Sequence, residues 1–314
     1  AAESLGIAKR TLDHRLDVAA ARGLLWPSTP KPEPAKDQFS EYEAIHRPTG
    51  RPRVRVRAVS RERPAGDVIR VLGIGDAHDK PGRAQERFTW IGRHAAKTAP
   101  DRIVSIGDLL SLDSLSRHEA MGSQADAARP AYHLDLESAE AALALLDAEV
   151  PEIPKHQTHG NHENRAEVAA NLNPKQCGDI ATRMEQVFAR FRWTTTPYGS
   201  FYFIGGVGFT HVPLNAMGRP YGGKHSENTI GNDSVFSLVW GHDHRGRMKA
   251  VPKIGPNRRI DLLNLGTSMP WGETEPYTTG ASGWTYGVFD ISIQAGLILS
   301  ARFWDMRELE EMYS

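Results

Sequence analysis

"VIRVLGIGDAH", residues 68–78, decides the fold. Val68 to Gly75 form an apolar run interrupted only by Arg70 and rich in β-branched residues, the pattern of a short strand buried on both faces. A glycine then lets the chain leave the strand, and an aspartate and a histidine follow. The same grammar recurs downstream in "RIVSIGD" (102–108), "KHQTHGNHE" (155–163), "FTHV" (209–212) and "SLVWGHDH" (237–244). Each run reads as a strand that ends in groups able to bind a metal, and a glycine before the polar group allows a sharp turn out of the strand. His242 and His244 lie two positions apart, so they aim at one spot if strand geometry persists to residue 244.

Between these runs the pattern alternates. Residues 85–98, 134–149, 164–171 and 178–191 read as helices, whereas the later half is richer in strands. "SFYFIGGVGFTHV" predicts a hairpin turning at Gly205-Gly206, followed by "SVFSLVWG", "RIDLLNLG", "YGVFDISI" and "LILSARFW". The expected fold class is α/β (α+β), with two packed mixed β-sheets flanked by helices and a small N-terminal helical segment.

The chain has 314 residues and 39% hydrophobic content, enough for one large domain and an appendage. Lys+Arg and Asp+Glu both number 38, but residues 1–66 carry a net charge of +5 and the remainder −5. The single cysteine, Cys177, excludes an internal disulfide and fits a reducing compartment such as the cytoplasm. No apolar run approaches the roughly 20 residues of a membrane helix, and no secretory signal is visible. The opening at Ala1 falls inside a motif, which implies an upstream segment.

Residues 1–26 read as two helices broken at Gly6 and resemble the later part of a helix-turn-helix, with Arg10 and Arg15 near the exposed face of the second helix. The alternative is a helical hairpin that packs on the body. Residues 27–66 combine a proline-rich linker with a basic stretch holding seven arginines between Arg47 and Arg63. Within it "RVRVRAV" alternates like an edge strand, and Arg53, Arg55 and Arg57 form either a solvated face or a track for a phosphate backbone. The domain proper is expected over 67–314.

The ordered set D-x-H, G-D, G-N-H-E, H and G-H-x-H resembles the calcineurin-like metallophosphoesterase superfamily from about Val68 to Ser268. The resemblance implies the metallophosphoesterase sandwich and a dimetal centre, with Asp76, His78 and His244 on one ion, Asn161, His211 and His242 on the other, and Asp108 bridging them. Mixed carboxylate, amide and imidazole donors suit two divalent transition metals, Mn²⁺ first, with Fe or Zn²⁺ as alternatives. A pair of such ions about 3.5–4 Å apart clamps an in-line phosphoryl displacement, with a hydroxide between them as nucleophile. His162 is then free to protonate the leaving alkoxide, and Glu163 orients. A helix-start carboxylate stabilised by the helix dipole is the simpler reading of Glu163. Glu at this position is shared with Ser/Thr protein phosphatases, yet "GDLLSLDS" departs from their G-D-x-x-D-R and they lack the G-H-x-H ending.

Arg117, His118, Arg165, Tyr221, Lys224 and His225 are candidate substrate contacts, and Arg219 lies on the same glycine-rich loop. Asn264 in "NLGTSM" reads as structural. The expected activity is that of a dimetal phosphodiesterase, a nuclease acting on DNA, similar to phage-encoded and DNA-repair-exonuclease-like members. Two other readings are a phosphodiesterase or phosphomonoesterase for small substrates such as cyclic nucleotides, and a DNA-binding protein with a structural metal site. DNA is the expected partner, with no membrane role; the oligomeric state stays open.

Overall fold

The computed structural model describes residues 66–118, 122–223, 225–255, 258–275, 278 and 283–314, together with the backbone of Glu41–Glu43 and Arg55–Arg57. All belong to the second of two units into which the chain divides, Glu41–Ser314. The expected helix-turn-helix of 1–26, with Arg10 and Arg15, and the linker, with Arg53, lie outside the described residues, as does Lys224.

Strand β1 (Glu41–Glu43) pairs antiparallel with β2 (Arg55–Arg57), which sets Glu41 opposite Arg57 and Glu43 opposite Arg55 in register. The expected basic strand thus exists over Arg55–Arg57.

A six-stranded sheet contains β3 (Ile69–Ile74), β4 (Arg102–Ser105), β5 (Lys155–Thr158), β6 (Trp193–Thr196), β12 (Gly287–Gln294) and β13 (Leu297–Asp305) in the order β13-β12-β3-β4-β5-β6. Strands β3 to β6 run parallel, and the β12–β13 hairpin adds an antiparallel edge. The second sheet has β7 (Tyr202–Ile204), β8 (Val207–Phe209), β9 (Leu238–Trp240), β10 (Arg247–Pro252) and β11 (Arg259–Asn264) in the order β10-β11-β9-β8-β7. Gly205 and Gly206, both at positive φ, make the two-residue β7–β8 turn.

Alternation along the strands builds three apolar layers. Val71, Val104, Val239, Leu263 and Ile291 meet between the two sheets. Leu72, Ile74, Ile103 and Val288 turn the other way, toward α1 (Glu86–Thr98), α3 (Tyr132–Glu149), α6 (Ile180–Arg190) and α8 (Met306–Tyr313), where Ile91, Leu143, Phe188 and Leu309 receive them. On the outer face of the second sheet, Leu238, Trp240 and Leu262 pack on Ile230 of α7 (Ser226–Asp233). Short helices α2 (Gln124–Ala127), α4 (Asn164–Leu172) and α5 (Pro174–Cys177) complete the described helices. Two mixed sheets flanked by helices is the expected fold class.

Four differences from the sequence expectation have physical causes. β10 is mostly exposed and carries Arg247 and Lys249, so it shows no buried alternation from which a strand can be read. β6 is a sheet edge with one exposed threonine, and α8 is a short amphipathic segment that buries only Met306 and Leu309. The run "SVFS" is not strand: Val235 is 86% exposed, and β9 begins only at Leu238.

Candidate metal centre

The polar groups of the five motif runs sit two to five residues beyond the carboxyl ends of β3, β4, β5, β8 and β9, the edge at which ligands bind in open sheets of this kind. Loops from both sheets meet there. Residues 78–79 and 108–111 are zipped together by backbone bonds from His78 N to Asp108 O (2.8 Å), Asp79 N to Leu109 O (2.7 Å) and Ser111 N to Asp79 O (2.8 Å).

The side chains form three groups of converging donor atoms: Asp76 with His78 and His244; His78 with Asp108 and His162; and Asp108 with His211 and His242. In the first, His244 Nε2 lies 3.0 Å from both Asp76 Oδ2 and His78 Nε2. In the third, His211 Nε2 has Asn161 Oδ1 at 3.0 Å, His242 Nδ1 at 3.2 Å and Asp108 Oδ2 at 3.3 Å. The His211 Nδ1–H donates to Ile106 O at 3.1 Å, which leaves Nε2 facing those acceptors. One proton cannot serve so many acceptors, but a cation can. With bonds of about 2.0–2.1 Å, neighbouring ligand atoms stand about 2.9–3.4 Å apart, the range of these separations. Asp76 Oδ1 and His78 Nδ1, both buried, have no hydrogen-bond partner among the described residues. The donor set therefore fits two divalent ions that share Asp108.

Backbone strain shapes these loops. His78, Asp108, His242 and His244 all have positive φ, a region non-glycine residues seldom adopt. β9 ends at Trp240, so the strand geometry that would aim His242 and His244 at one spot does not persist, and each joins a different group. The preceding glycines also act differently from expectation. Only Gly107 has positive φ; a Cβ on Gly160 would fall on the Asp108 carboxylate, and one on Gly241 on that of Asp76. Close approach, not turning, excludes a side chain there.

Electrostatics follow from burial and neighbours. Burial opposes protonation of His211, but the Asp108 and Asp76 carboxylates outweigh it and raise its pKa to about 9. Burial, helped by His162 and His244, holds His78 well below its ordinary value. For Asp108, burial is outweighed by His211 and His162, which keep it well below the usual carboxylate range. A positive charge is stabilised where the acceptors converge.

His162 donates from Nδ1 to Ser111 O at 2.7 Å, and its Nε2 stands 3.9 Å from Asp108 Oδ2. Burial lowers its pKa, with Asp108 acting in the opposite direction. Glu163 is fully buried and not an exposed helix-start carboxylate: Oε2 accepts from the N–H groups of Asp108 (2.9 Å) and Gly160 (2.8 Å), and Oε1 from Leu110 (2.9 Å). It braces two loops, with its pKa raised to about 7 by burial and by Asp108. Asn264 pins the last loop through Gly241 O and Asp243 Oδ1.

The expected substrate contacts divide. Arg165 reaches the centre, with Nη2 3.4 Å from His162 Nε2, but its Nη1 donates to Ser111 O at 2.8 Å, so much of the guanidinium is held by protein. Tyr221 is turned elsewhere, its hydroxyl donating to Asp233 and its ring on the α7 cluster. Arg117, His118 and His225 are exposed. Sequence reading missed three neighbours of the centre. Trp284 stands edge-on to His244 at 4.2 Å, Tyr198 lies 6.5 Å from the His211 ring, and Arg83 donates to His78 O. Arg83, five residues after His78, carried a faint signal; the other two lie in no motif.

Residues 69–246, more than half of the chain, match the family described as Calcineurin-like phosphoesterase. Among solved structures, the chain is similar to wild-type Vps29 complexed with Zn²⁺ from Entamoeba histolytica, at 14% identity and a TM-score of 0.33, covering 76% of this chain and 99% of that one. It is also similar to a dimetal phosphatase from Danio rerio, at 11% identity and a TM-score of 0.37, covering 76% and 96%. No curated protein matches it. The family match spans every loop that supplies the converging donors, from Asp76 to His244. The chain belongs to the calcineurin-like phosphoesterase family and is a metal-dependent phosphoesterase.

Proposed function

We propose that the protein hydrolyses phosphodiesters and that its substrate is DNA. The observation that carries the hydrolase reading is His162: anchored by Nδ1 on the Ser111 carbonyl, it turns Nε2 toward Asp108 without belonging to either outer donor group. The leaving group of an alkyl phosphoester departs as an alkoxide that needs a proton, and a histidine fixed at one nitrogen can deliver it from the other; the choice of a diester follows from the DNA reading. Asp108 stabilises the protonated imidazole.

Asp76, His78 and His244 would hold one ion, Asn161, His211 and His242 the other, and Asp108 both. Two divalent cations, Mn²⁺ by preference, would neutralise phosphate charge and supply an activated water. Glu163 keeps Asp108 and Gly160 in register, and Arg165 lies beside His162 where a phosphate oxygen would be neutralised.

The DNA reading is supported by the net positive charge of residues 1–66, which include Arg10, Arg15, Arg53, Arg55 and Arg57. The test is a panel of linear and circular DNA, RNA, cyclic nucleotides and bis(p-nitrophenyl) phosphate with Mn²⁺, run on the full chain and on one lacking residues 1–66. DNA cleavage whose Michaelis constant rises on deletion, with a flatter dependence on salt, is expected. Cleavage of cyclic nucleotides alone, or an unchanged salt slope, would overturn the DNA reading.

A further inference from the structure

A row of aromatic rings leads away from the centre. Trp284 stands perpendicular to His244 at 4.2 Å between centroids, Tyr286 follows at 6.3 Å, and Trp271 at 6.5 Å from Tyr286. Trp284 and Tyr286 are half-buried, and Trp271 is 53% exposed. The Arg307 guanidinium lies 4.3 Å from the Trp271 centroid and closes the row.

The row is held in place. Tyr286 bridges Thr267, its carbonyl accepts from Met306 N, and its hydroxyl donates to Glu273 O at 2.7 Å. Trp271 sits in a turn closed by the bond from Glu273 N to Pro270 O. Asp305 binds the Arg307 guanidinium through both Nε and Nη2. Tyr286, in the middle of the row, and Arg307, at its end, are therefore held before anything binds, although the exposed indole of Trp271 contributes little to a core.

We propose that Trp284, Tyr286 and Trp271 form a stacking platform for the bases of a single-stranded nucleic acid whose phosphodiester lies at the metal centre. The inference rests on the phosphodiesterase reading above and names the form of substrate. Every base has a π-face, so an aromatic row binds a strand without reading its sequence, and a guanidinium plane extends the same surface. The ring intervals are about twice the 3.4 Å rise per nucleotide of a duplex strand, which suits an extended, unstacked one. Paired bases of a duplex offer no free faces. Trp284 touches His244 of the first donor group, so a strand lying on the row would reach the residues that would hold the ions.

The experiment uses the full chain with Mn²⁺ and compares an oligothymidylate with bis(p-nitrophenyl) phosphate. In Trp271→Ala, kcat/KM for the oligonucleotide should fall roughly 5- to 150-fold relative to that for the small diester, mainly through KM. Trp271→Phe should restore most of the loss, and quenching of tryptophan fluorescence by the oligonucleotide should weaken in the alanine variant. An equal fall on both substrates, or an equal fall on fully duplex DNA, overturns the platform. A wild type that cuts neither substrate overturns the reading on which the platform rests, and one that cuts the small diester but leaves the oligonucleotide uncut overturns the platform. A wild type that cuts the oligonucleotide and a Trp271→Ala variant that cuts it equally well overturn the platform alone.

Discussion

The Nε2 atoms of His78 and His244, 166 residues apart in the chain, face each other at 3.0 Å. Two neutral imidazoles at that separation share one hydrogen bond at most, and two protonated ones repel. Asp76 Oδ2, 3.0 Å from His244 Nε2, completes a triangle whose natural occupant is a cation.

Purified protein should accordingly hold two divalent ions per chain. Asp108→Asn removes the carboxylate common to two of the donor groups and should lower both metal content and turnover, the latter to near background. Chelation should also lower the melting temperature, because ions that bind only the folded chain stabilise it. Elemental analysis showing one ion in fully active protein would reject the arrangement.

His162→Ala is expected to reduce turnover of an alkyl diester by roughly 10²- to 10⁴-fold and to reduce that of a nitrophenyl diester less, since nitrophenolate leaves without a proton. His162 also groups with His78 and Asp108, so metal content must be measured in the same variant. Loss of an ion would make His162 a ligand.

Gly160→Ala should impair metal binding while the fold survives, because the new Cβ would overlap the Asp108 carboxylate and push it out of place. Glu163→Gln attacks the same junction from the other side. Three backbone N–H groups then compete for one amide oxygen, and leaving buried donors unpaired costs about 1–3 kcal/mol. Denaturant unfolding of the metal-free proteins measures that cost, and an unchanged stability in Glu163→Gln would contradict the bracing role.

His156 makes stability sensitive to acid. Its nitrogens bond Thr194 and Thr196 at 2.7 and 2.8 Å, and its ring stacks on Tyr202 at 3.6 Å. Burial, reinforced by His159 and Arg102, lowers its pKa from 6.5 to about 3. The unfolded chain therefore takes up this proton first. Stability is complete above the unfolded value of 6.5 and falls as pH drops toward about 3, by at most about 1.4 kcal/mol per pH unit for this group. Urea unfolding of wild type and His156→Gln across that window should show a shallower pH slope in the variant; parallel slopes would refute the assignment.

Much of this protein was legible before any coordinates. The strand runs at Ile69–Ile74 and Arg102–Ser105, the Gly205-Gly206 hairpin and the order of the ligand-bearing loops are local patterns, because side-chain period and turn chemistry act over a few residues. Tertiary structure decided the local geometry of those loops. The motif resemblance already implies different ions for His242 and His244, but only the structure shows the positive φ at both that turns the backbone off its strand. The glycines at 160 and 241 are required by carboxylates that arrive from loops more than fifty residues away. Glu163 is buried by the loop it braces, and Tyr221 is drawn to Asp233, away from the role its glycine-rich loop suggested. Trp284 meets His244 only because the loop after β9 is bonded to the segment leading into β12, Thr285 N donating to His244 O at 2.9 Å. Such contacts depend on how distant loops pack, and nothing in the residues near each group encodes them.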